Sequence, residues 1–76
     1  MKLHSIAANQ NEVTLNNGSV VFFSYQTPVA ACVKGQYYFT EQKWSKTTAR
    51  HINEWLGSNK FLAKTKPQAW FDALTK

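Results

Sequence analysis

The sequence is poor in cysteine, glycine, proline and acid. Its one cysteine, Cys32, excludes an internal disulfide and with it the disulfide-stapled secreted scaffold. Three glycines and two prolines exclude collagen-like and low-complexity chains. Four carboxylates, at positions 12, 41, 54 and 72, are scattered and show no paired-acid site. No stretch approaches the roughly 20 apolar residues of a membrane span, and Met1–Ala8 holds no apolar run of signal-peptide length. These absences predict a soluble, intracellular protein in a reducing compartment, with no membrane partner. Cys32 sits in Val29-Ala30-Ala31-Cys32-Val33 and reads as a small core hydrophobe, since no neighbouring base is visible to activate it.

What is present is aromatic and basic. At 76 residues the chain has room for one domain, 1–76, with a thin core. An apolar share of 43% with 14% aromatic residues is enough to build that core and argues against wholesale disorder. A large multi-substrate enzyme is excluded by size. The net charge is +5 and lies entirely in residues 34–66, where seven cations face two carboxylates. Such a local field points to an anionic partner, although a solvated basic surface fits it too.

Alternation and turn residues predict strands. Residues 4–11 read as an irregular lead-in and Glu12–Leu15 as a short strand. Asn17-Gly18 within Asn16–Ser19 predicts a hairpin of type I′, in which both central residues take positive φ. Val20–Tyr25 returns as a second strand, apolar on both sides and so expected to be central. Gln26-Thr27-Pro28 reads as a break, Val29–Val33 as a third strand, Lys34-Gly35-Gln36 as a tight turn and Tyr37–Thr40 as a fourth strand.

Helical spacing follows. Ala49, Ile52, Trp55 and Leu56 form an apolar stripe, with Gly57 placed to end the helix. Residues 58–66 read as a basic loop. Pro67 opens a second short helix, with Ala69, Trp70, Ala73 and Leu74 on one face and Phe71 beside them. The expected fold is α+β: an antiparallel β-meander of three to four strands packed by one amphipathic helix, plus a short C-terminal helix.

The chemistry concentrates before and within the first helix. Lys43, Trp44, Ser45, Lys46, Thr47, Thr48, Arg50 and His51 bring hydroxyls and cations to a helix start, where free N–H groups and the helix dipole favour an anion. Arg50 has the planar fork that clamps a phosphate, and Trp44 offers a flat surface for a base or sugar. The same residues also allow a purely structural role, in which Ser45, Thr47 and Thr48 cap the helix and Trp44 closes the core. Tyr25, Tyr37, Tyr38, Phe22 and Phe39 read first as core, and alternatively as a stacking platform, with one of Tyr37 and Tyr38 pointing outward. No second His or Cys lies at metal spacing from His51, and no convincing nucleophile or acid partner is visible for it. No Gly-rich phosphate loop is present either. No metal, no cofactor and no enzymatic activity are expected.

Three blocks resemble a family of short proteins of unknown function encoded by tailed bacteriophages. They are Ala8–Val13, Phe23–Ala31 and, most specifically, Lys43–Leu56 (Lys-Trp-Ser-Lys-Thr-Thr-Ala-Arg-His-Ile-Asn-Glu-Trp-Leu). The resemblance spans roughly residues 3–57 and leaves the segment after Gly57 outside it. It implies phage origin and a place in the cytoplasm of the bacterial host, and it carries no catalytic residues to transfer. The leading expectation is a nucleic-acid-binding module for DNA or RNA. The alternative is a protein-binding module that targets or inhibits a host protein. A homo-oligomeric structural piece is a third class, and the sequence leaves the oligomeric state open.

Overall fold

The computed structural model describes residues 2–7 and 10–74, with side-chain surroundings from Gln10 onward. Six strands form one sheet in chain order: β1 (Lys2–Ala7), β2 (Gln10–Thr14), β3 (Val20–Ser24), β4 (Thr27–Val33), β5 (Gln36–Thr40) and β6 (Lys64–Lys66). The helices are α1 (Lys46–Leu56) and α2 (Gln68–Leu74), and a 3₁₀ helix covers Gly57–Leu62. The fold is α+β with a largely antiparallel meander, as expected, but with more strands. The lead-in is in part strand: His4 pairs with Glu12 and Ser5 with Asn11. Polar composition hid it, because an edge strand needs ladder bonds more than an apolar face. Ala8 and Asn9, within the same expected lead-in, lie outside the described residues.

The basic loop also gains structure. Residues 57–62 wind into the 3₁₀ helix, and Lys64–Lys66 pairs in parallel with Tyr38–Thr40. The segment β5-α1-3₁₀-β6 is therefore a crossover unit, the only way two neighbouring strands can run parallel. A three-residue strand that begins and ends with lysine gives the sheet a short, charged edge that resists further pairing.

Both sheet faces are covered. Ile52 and Leu56 of α1 pack on Phe22, Val29 and Ala30 of the sheet, with Tyr37, Phe39, Trp55 and Ala63 around them. On the other face Val21, Ala31 and Phe71 are buried, flanked by Leu15, Phe23, Val33, Tyr38, Trp70 and Leu74. This two-sided burial is what an apolar, central β3 requires. Val29 and Ala30 share a face because the β3–β4 register shifts beside Phe22 and Phe23, leaving an extra residue in β4. That irregularity also accommodates Pro28. It lies inside β4 opposite Phe23 rather than breaking the chain, and bulges are where a strand tolerates proline.

Turn chemistry departs from expectation twice. Gly18 takes φ 89°, but Asn17 is not among the positive-φ residues. Gly18 N–H donates to Leu15 O at 3.0 Å and Leu15 N–H to Ser19 O at 2.7 Å, so the loop has three residues with one left-handed position. Lys34 (φ 52°) and Gly35 (φ 80°) carry the sign pair of a type I′ turn instead. Tyr25, expected in a strand, is a turn residue with φ 59°.

The α1 face is rotated from the expected stripe. Thr48, His51, Ile52 and Leu56 are buried, Trp55 is half-buried, and Ala49 is exposed. Positions 48, 51, 52, 55 and 56 are the regular helical stripe, with two polar residues completing it. Trp55 stacks on Phe22 (5.2 Å between centroids) and meets Tyr37 edge-on (5.8 Å). In α2 the anchor is Phe71, fully buried, whereas Ala69 and Ala73 are exposed. Tyr38 packs at 4.9 Å on Trp70, so Tyr37 and Tyr38 each lie against a tryptophan on opposite faces and neither forms an open platform. Among the described residues no helix is long and apolar enough to cross a membrane.

Candidate functional site

The expected site residues divide into two groups. Strand β3 ends with Ser24 on the α1 face, and this aims its hydroxyl at the first turns of the helix. Ser24 Oγ lies 3.2 Å from Thr48 Oγ1 and 2.9 Å from His51 Nδ1. Ser24 is 2% exposed and His51 5%. Ser24 has one proton to give; when it goes to Thr48, Nδ1 of His51 carries the proton of the second bond. Tyr25 covers this cluster, its ring 6.0 Å from the His51 imidazole. Thr48 and His51, read from sequence as anion-site candidates, are thus buried residues whose Oγ1 and Nδ1 atoms bond to Ser24 of β3. The Ser–His contact has hydrogen-bond length, but Ser24 is sealed beneath α1, and among the described residues no carboxylate bonds to Ser24 or His51.

The helix start is likewise occupied. Ser45 Oγ accepts from Thr48 N–H at 3.3 Å and lies 3.4 Å from Thr48 Oγ1, a side-chain cap that satisfies a free amide of the first turn. Thr47 is half-buried. Arg50 points outward and meets Glu54 one turn on, Nε to Oε1 at 3.6 Å, with the side chains 70% and 59% exposed.

The second group remains on the surface and converges. Lys43, Trp44 and Lys46 line an open cleft of about 520 Å³ between α1 and the β5–β6 edge. Phe39, Ala49 and Ile52 supply apolar lining, and Lys60 joins from the 3₁₀ helix. Glu41 is the one carboxylate among the lining residues, against three lysines. Those lysines make no ion pair among the described residues. Trp44 donates Nε1–H to Gln68 Oε1 at 3.2 Å, so the indole is tethered to α2 at its polar edge. Gln68 is itself held, accepting from Thr40 Oγ1 at 2.9 Å and donating to Pro28 O at 2.7 Å.

Sequence reasoning missed Lys60, which lay in what read as a loop; only the crossover brings it opposite Lys43. It also missed Phe61 and Leu62, which are 92% and 75% exposed. Their signal was available: a Phe-Leu pair in a basic stretch with no apolar residues at helical spacing. Elsewhere, Lys66 Nζ lies 5.7 Å from both the Tyr38 and Trp70 centroids on the α2 face, away from the cleft. No group of three or more His, Cys, Asp or Glu gathers at metal distance among the described residues.

A helix-covered sheet with a lysine-rimmed cleft at its parallel edge defines a small α+β domain with a basic recess. The chain belongs to a family described as a family of unknown function (DUF8033), which it matches over residues 1–73. The match includes the segment after Gly57, so α2 and the Lys60 side of the cleft are part of the family pattern. No curated protein and no solved structure matches the chain.

Proposed function

We propose that this protein is a small nucleic-acid-binding module that contacts phosphates through the cleft rimmed by Lys43, Lys46 and Lys60. One observation carries the reading: three lysines, two around the start of α1 and one from the 3₁₀ helix, line one recess with no ion pair among the described residues, in the part of the chain that holds the whole net charge. Charges brought together in this way repel one another, and an anion between them relieves that cost. No catalysis is assigned to the site. Phage origin and action in the cytoplasm of a bacterial host rest on the sequence resemblance.

The test is a salt titration of binding to DNA and RNA. Log affinity should fall linearly with log salt, and Lys43→Glu/Lys46→Glu should abolish binding without lowering the melting temperature appreciably. Absence of wild-type binding at low salt rejects the reading.

A second reading, a module that binds a host protein, is favoured by the exposed Phe61 and Leu62, since aromatic residues are frequent interface anchors. Pull-down from bacterial lysate with and without nuclease separates the two. Nuclease-resistant capture that Phe61→Ala abolishes would support the protein partner.

A further inference from the structure

The lysines lie around a surface that phosphate does not need. Phe39, the Trp44 ring, Ala49 and Ile52 give the recess an apolar lining, while Lys43, Lys46 and Lys60 supply the charge. A duplex presents phosphates and sugars on its outside and keeps its base faces stacked within. Against a duplex the lysines would be used and the apolar lining left in water. A ligand matched to both must carry a flat apolar group beside negative charge.

Trp44 is held for such a group. It is 40% exposed although it is one of the largest apolar side chains on the surface. Its tether to Gln68 satisfies the indole N–H and restrains the ring, so less rotamer freedom is lost when a ligand arrives. Thr40 and Pro28 fix Gln68 in turn, which links the ring position to β4 and β5. On the outer face of α1, Arg50 meets Glu54 and does not line the cleft.

We infer that the cleft takes an unpaired base against Trp44, so that the protein selects single-stranded over duplex nucleic acid. This rests on the nucleic-acid reading and adds the form of the ligand. The lysines neutralise the phosphates flanking that base. Stacking on an indole tolerates every base, so the preference is for strandedness rather than sequence.

The experiment is fluorescence anisotropy with end-labelled single-stranded DNA, single-stranded RNA and duplex DNA of matched length, at low salt, using the full chain. The single strands should bind about ten-fold or more tightly than the duplex, the size expected of one base–aromatic stack. Trp44→Ala should remove most of that advantage, weakening single-strand binding far more than duplex binding, while Trp44→Phe, which keeps a flat ring, should restore much of it. Thermal melts of both variants establish that they are folded; if Trp44→Ala unfolds, Trp44→Leu takes its place. Equal or tighter duplex binding, or equal weakening of both forms by loss of the ring, overturns the inference while leaving the cleft a phosphate site. No binding to any of the three probes overturns both.

Discussion

Within one stretch of nine residues, 43–51, two regions treat polar side chains in opposite ways. On the sheet side of α1, Thr48 and His51 turn inward and bond to Ser24; no buried side-chain nitrogen or oxygen among the described residues lacks a partner. On the cleft side, Lys43 and Lys46 keep their charge in solvent without a carboxylate partner among the described residues. Residue type does not separate the two groups, since hydroxyls and a histidine suit a ligand as well as a core. What separates them is the phase of the helix against the sheet. A rotation that buries positions 48, 51 and 52 leaves 46 and 49 toward the cleft and 50 and 54 to water.

The largest effect is expected at Trp55, on the interior side. Its ring stacks on Phe22 and abuts Tyr37, and Trp55→Ala should cost about 3–5 kcal/mol in chemical denaturation, toward the lower end because the ring is only half-buried. A variant as stable as the wild type would show that α1 does not seat on the sheet as described.

Ser24→Ala should have the next largest effect. It removes the hydroxyl shared by Thr48 and His51 and leaves buried polar atoms unmatched, at a cost of about 1–3 kcal/mol. Nucleic-acid affinity of the folded variant should not change. Loss of affinity at full stability would move the buried cluster from structure to function.

Lys60→Ala sharpens the other half. Stability should move by less than about 0.5 kcal/mol, while the slope of log affinity against log salt should shrink by about one unit. An unchanged slope would remove the 3₁₀ helix from the binding surface.

Arg50→Ala should do least. Exposed pairs at this spacing contribute about 0.3–0.5 kcal/mol, and Arg50 does not line the cleft. A salt slope reduced as much as by Lys60→Ala would restore Arg50 to the phosphate contacts expected from the sequence.

Much of the architecture is readable from residue order alone. β3 announces itself as central because Val21 and Phe22, on opposite faces, are both apolar, and both are fully buried. Gly57 ends α1 at the expected residue, with φ 56°. Two strands escape because their residues carry no alternation: Lys64–Lys66 becomes a strand only by pairing with β5, a long-range event that local pattern does not encode. The site is half legible. Lys43, Trp44 and Lys46 are evident from charge and aromatic character. Thr48 and His51 mislead because the partner that buries them, Ser24, lies 24 and 27 residues away. Phe71 is underrated for a similar reason, since the extended β4 surface it covers is not visible from its own helix.

The parallel pairing of β6 with β5 has a consequence for local opening. Lys43 precedes α1 and Lys60 follows it, and the crossover that carries both ends in β6, where Glu41 N–H bonds to Lys66 O at 3.0 Å. A three-residue edge strand is among the first parts of a sheet to open in local fluctuations. On the proposed reading, a ligand bridging Lys43 and Lys60 acts as a clasp across that opening. Amide exchange along Thr65–Lys66 then becomes a reporter of occupancy, slowing as the cleft fills while the exchange of β3 stays the same.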